Sequence, residues 1–136
     1  MKKYILYIGC LIFILALGNE LNAQGKTHEQ DIRTVFAKLV LSSQAKNYDE
    51  ATGLISIDTG KEVSDNQHKQ KVRRICNQVY ALLQLSDYSI ADYNATFDDG
   101  ITHYNLIVKF VSGEQEIEKR FQFIESNDKY LLDKID

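Results

Sequence analysis

The chain has 136 residues, 16 basic and 19 acidic side chains, a formal charge of −3, and neither proline nor tryptophan. That length supports one hydrophobic core rather than several domains. The mildly acidic balance argues against nucleic acid as the main partner, which needs a clustered basic face, and against general attraction to anionic lipid.

The first element reads as an address. Lys2 and Lys3 precede an apolar run over residues 4–17, and residues 18–23 turn polar and close on Ala23, the form of a secretory leader. The run is shorter than the roughly 20 residues that span a bilayer. We therefore expect a cleaved signal peptide over 1–23, a single domain over 24–136, and an exported protein, periplasmic or extracellular, with no stable membrane span once the leader is removed. Losing Lys2, Lys3 and Glu20 leaves 14 basic and 18 acidic residues, a charge of −4. Cys10 falls in the leader, so Cys76 is alone in the mature chain and no internal disulfide can form. The apolar run continues past Cys10, which argues against lipidation there.

Thr27-His28-Glu29-Gln30 has the form of a capping box, and Ile32, Val35, Phe36, Leu39 and Val40 follow at helical spacing. This helix should fade by Ala45-Lys46-Asn47. Tyr48-Asp49-Glu50-Ala51-Thr52 reads as a short second helix stopped near Gly53, and Asp58-Thr59-Gly60-Lys61 as a turn. Ser64-Asp65-Asn66-Gln67 is a second capping box and opens the strongest helix. Its stripe is Val72, Ile75, Cys76, Val79, Tyr80 and Leu83, and its end is expected near Leu85.

From Tyr88 the apolar period changes from 3.6 to 2. Ala91, Tyr93, Ala95 and Phe97 alternate with polar residues up to Asp98-Asp99-Gly100, a hairpin signal. Thr102, Tyr104, Leu106, Val108 and Phe110 share one face of the next strand. After the Ser112-Gly113 turn, Ile117, Lys119, Phe121 and Phe123 share a face of the third. Asn127-Asp128 turns the chain into a last strand ending near Ile135. Helices followed by hairpin-linked strands mean α+β: N-terminal helices packed on a four-stranded antiparallel meander.

The phrases Val35-Phe36-Ala37-Lys38-Leu39, Ala45-Lys46-Asn47-Tyr48-Asp49-Glu50-Ala51 and Phe121-Gln122-Phe123-Ile124 through Tyr130-Leu131-Leu132 resemble the opening and closing of small secreted bacterial domains. Those domains form a group of unknown function in the nuclear-transport-factor-2-like, or cystatin-like, superfamily. The resemblance implies a curved sheet wrapped around helices, a cone with an apolar pocket. It implies isomerases, dehydratases, ligand binders or dimerisation modules as functions, and the enzymes of that group place Asp, His or Tyr inside the cone. No such motif matches here residue by residue.

The candidate chemistry is sparse. His28, His68, His103 and Cys76 lack metal-ligand spacing, so neither a metal nor another cofactor is expected. Cys76 sits on an apolar stripe, where a thiol packs as a small hydrophobe. Asp98 and Asp99 are turn residues first. Lys119 interrupts an apolar face, either as a buried amine or, more simply, by carrying its charge past the rim. His103 with Tyr93 or Tyr104 is the one acid–base grouping, yet His103 and Tyr104 point to opposite faces. His68, Lys69, Lys71, Arg73 and Arg74 make a basic patch that reads as a solvated helix face.

No catalytic residue is assigned, and the reading favours a protein that is not an enzyme. The expectation is an exported domain that binds a small apolar ligand or an envelope protein partner through the concave sheet, with Tyr93, Tyr104, Lys119 and Phe121 as pocket residues. The alternatives are a cone-type isomerase or dehydratase using His103 or Lys119, and a structural homodimer module using Ile107 and Val111.

Overall fold

Serine and glutamine reach across the start of the longest helix as the capping pattern requires. The Gln67 amide donates to Ser64 Oγ at 3.3 Å, and the Ser64 amide donates to Gln67 Oε1 at 3.1 Å. The architecture was obtained as a computed structural model that describes residues 28–57, 64–85 and 87–136. The expected leader, Cys10, Thr27 of the first capping box and the turn at Asp58-Thr59-Gly60-Lys61 lie outside the described residues. The chain divides into two units, Met1–Asp31 and Ile32–Asp136. Of the first, the described residues 28–31 are helical; the sheet and the core belong to the second.

Three helices lead. Helix α1 covers residues 28–44, α2 is Tyr48–Thr52 and α3 is Asp65–Leu85. Asn47 caps α2 by accepting the Glu50 amide at 3.3 Å. Four strands follow, β1 (Asp87–Asp98), β2 (Ile101–Ser112), β3 (Gln115–Ser126) and β4 (Lys129–Ile135). They pair antiparallel in chain order as a curved meander. This is the α+β arrangement the two periodicities announce.

The core lies between the helical stripes and one sheet face. Ile32, Phe36, Leu39, Val72, Ile75, Cys76 and Val79 meet Tyr104, Leu106, Val108, Phe110, Phe121, Phe123 and Leu132. Phe36 stands edge-on to Phe121 with centroids 5.0 Å apart and to Tyr88 at 5.7 Å. Such aromatic pairs add roughly 0.5–1.5 kcal/mol each beyond burial.

Two irregularities break the simple alternation. The β1–β2 register slips between Ile90 and Asp92, so Ile90 and Tyr93 pair with Val108 and Leu106 on the core face. Ala91, expected beside Tyr93, is the extra residue and is exposed. A second slip opposite Gln122 and Phe123 leaves Asp133 without a strand partner. Both are bulges, which redirect side chains and deepen local twist.

The outer sheet face is less solvated than its polar residues suggest. Gln122 Nε2 donates to Asn105 Oδ1 at 3.1 Å, and Asn105 Nδ2 donates to Asn94 Oδ1 at 2.9 Å and Thr96 Oγ1 at 3.2 Å. Asn105 is 1% exposed because this row of partners crosses three strands. Its hydrogen-bonding capacity is met from within the sheet.

Candidate functional site

The four residues expected to form a pocket do share the helix-facing side of the sheet. Tyr93, Leu106 and Phe121 lie in one cross-strand row, Tyr104 pairs with Phe123, and Lys119 pairs with Val108. None of the four lines either described cavity. Phe121 is fully buried, with Phe36 at 5.0 Å and Phe110 at 6.4 Å. Tyr104 stands edge-on to Tyr130 at 5.3 Å, and burial, then the Glu125 charge, raises its phenol pKa. Tyr93 and Lys119 are half-buried. The face expected to receive a ligand is occupied by the protein's own aromatic side chains.

The larger described cavity lies elsewhere, at the β4 edge. Residues 54–56 run beside β4 in parallel, the Ser56 amide donating to the Leu132 carbonyl and the Leu132 amide to the Leu54 carbonyl, each at 2.8 Å. This short extension and the β3–β4 hairpin form two walls, and the first turns of α3 close the third side. The space is about 480 Å³, within the usual range of small-molecule sites. Ile55, Ile57, Ile124 and Leu131 supply its apolar surface. Its polar side chains are Thr52, Ser56, His68, Ser126, Asn127 and Lys129. Among the described residues lining it, the only ionisable ones are His68 and Lys129.

The wall is held rigidly from behind. Lys71 Nζ donates to the Ser56 carbonyl at 3.0 Å and to Ser56 Oγ at 3.2 Å, while Ser56 Oγ donates to Asp133 Oδ1 at 2.8 Å. Lys71 and Asp133 are 3.7 Å apart. One turn earlier on α3, His68 Nε2 bonds the Ile55 carbonyl at 3.1 Å. A carbonyl only accepts, so Nε2 carries the proton, and the second ring nitrogen is not committed by this bond.

The basic patch is therefore not one solvated face. Lys71 is buried and bonded to Ser56, whereas the α3 stripe placed it off the core. Arg73 lies over the Tyr48 ring at 5.4 Å, and with Lys69, Asn66 and Gln70 it lines a second cavity of about 240 Å³. His68, read from sequence as part of a solvated helix face, is half-buried and lines the larger cavity. The capping box Ser64–Gln67, directly before it, located the turn; nothing in the spacing showed what it faces.

The acid–base grouping does not assemble. His103 pairs with Thr96 and Tyr104 with Ala95, on opposite faces. Neither His103 nor Lys119 lines either described cavity. Cys76 is buried, and burial pushes its thiol pKa up, with the Ser43 hydroxyl partly opposing, so it behaves as core. Among the described residues no three His, Cys, Asp or Glu side chains are placed to hold a metal. No helix of the described residues is long and apolar enough to cross a membrane.

No family model matches the chain, and no curated protein matches it. Solved structures do. An NTF2 design aligns with a TM-score of 0.51 at 13% identity, covering 79% of this chain and 96% of its own. A candidate NTF2-like transpeptidase from Campylobacter jejuni aligns with a TM-score of 0.49 at 13% identity, covering 73% of this chain and 94% of its own. Rv3472, a protein of unknown function from Mycobacterium tuberculosis, aligns with a TM-score of 0.44 at 11% identity, covering 83% and 74%. The fold is NTF2-like. At these identities it carries no function with it.

Proposed function

We propose that this chain is a non-enzymatic binding domain, acting after export, that takes a small apolar ligand in the cleft between residues 52–57 and the β3–β4 hairpin. One observation carries the reading. A space of about 480 Å³ is walled by Ile55, Ile57, Ile124 and Leu131 and rimmed by a few polar side chains, the composition of a small-molecule site. Binding is assigned here rather than to Tyr93, Tyr104, Lys119 and Phe121, because a ligand on that face would have to displace Phe36.

The test is a titration of the full chain with decanol and with decanoate, followed by amide chemical shifts. Movement of the Ile55, Ile124 and Leu131 amides is expected with at least one of them. The Leu131→Trp variant, which fills the cleft with an indole, should lose that response. If both compounds leave those amides unmoved, the cleft is not a binding site.

A further inference from the structure

We infer that the ligand of this cleft carries a carboxylate on its apolar body, an inference that rests on the function proposed above. The chain as a whole has more acids than bases, yet the ionisable side chains among the described lining residues are His68 and Lys129. Of the acids near this wall, Asp133 is already answered: it accepts the Ser56 hydroxyl at 2.8 Å and lies 3.7 Å from Lys71 Nζ, while Glu125 and Asp128 are exposed. Among the described lining residues the ionisable groups therefore favour an anion, on a surface partly desolvated by isoleucine and leucine.

The two groups differ in a useful way. His68 is fixed, because its Nε2–H is spent on the Ile55 carbonyl and its ring cannot turn without breaking that bond. The other ring nitrogen is the one left to face a ligand, and the Lys129 ammonium can give a carboxylate a charge-assisted hydrogen bond, about twice as strong as a neutral one. Lys129 opens β4 and is exposed, so its flexible stem can close over a head group from the solvent side. No arginine is among the described lining residues, and the fork that favours a phosphate is missing from that set. One lysine and one histidine match a monoanion, a carboxylate.

The same titration decides it. The full chain should bind decanoate about ten times more tightly than decanol, whose body is the same length and whose head is neutral. Lys129→Gln, on an exposed hairpin residue, should shrink that ratio, and His68→Gln should shrink it further. Equal affinities, or a preference for decanol, with the Ile55, Ile124 and Leu131 amides still responding, overturn the carboxylate while leaving the cleft as the binding site. No response to either compound removes both.

Discussion

Lys71 shows how one side chain can join three segments. Its ammonium holds the Ser56 carbonyl and hydroxyl and faces Asp133, so α3, the segment after α2, and β4 meet at one charge. Removing one partner of a buried pair costs about 3–5 kcal/mol, because the other charge is left stranded. Asp133 is 27% exposed and water can reach it, so the expected loss for Lys71→Ala is about 2–3 kcal/mol. Urea denaturation of the variant checks this; a loss below about 0.5 kcal/mol would mean the pair is merely incidental. The stripe Val72, Ile75, Cys76 and Val79 was legible in the sequence, but Lys71's burial was not. A lysine beside an apolar stripe reads as solvated until a carbonyl is found at the end of its stem.

At the level of elements, the hairpins repeat one device with unequal residues. In the β1–β2 turn Asp99 and Gly100 both have positive φ, 49° and 76°, as a type I′ turn demands. In the β3–β4 turn the same places hold Asn127 and Asp128, at 52° and 61°. An L side chain in this region is strained by about 1 kcal/mol relative to glycine. Gly100→Ala should therefore destabilise by about 1 kcal/mol and Asp128→Gly should stabilise by about 0.5–1 kcal/mol. Paired thermal melts of the two variants measure this, and shifts of the same sign would contradict it. Both turns were visible as Asp-Gly and Asn-Asp signals between alternating runs. The bulges at Ala91 and Asp133 were not, because an extra residue in a strand leaves the composition of that strand unchanged.

For the whole molecule, the helical layer and the sheet are joined through aromatic contacts. Phe36 of α1 touches both Tyr88 of β1 and Phe121 of β3. Phe36→Ala should cost about 3–5 kcal/mol, the range for emptying a large core site. Circular dichroism should show helix and sheet lost in one lowered transition. Early melting of the helix alone would mean the layers are energetically separate. This packing also explains the position of the cleft. Phenylalanines pack on the concave face, and the larger described cavity lies where residues 54–56 extend the sheet beyond β4.

The order of elements, the capping box at Ser64–Gln67, the buried stripes and the hairpin turns come from spacing alone, since each depends on residues near one another in the chain. The α+β meander was legible for that reason, while the NTF2-like fold was expected only from the resemblance of the opening and closing phrases. The cleft was not legible. His68 and Lys129 are far apart in sequence, and only the parallel pairing of residues 54–56 with β4 brings them to one cleft. On the expected face, Phe36 of α1 packs edge-on to Phe121. Which apolar face stays open is decided by what the rest of the chain packs onto it, and that is a property of the tertiary structure.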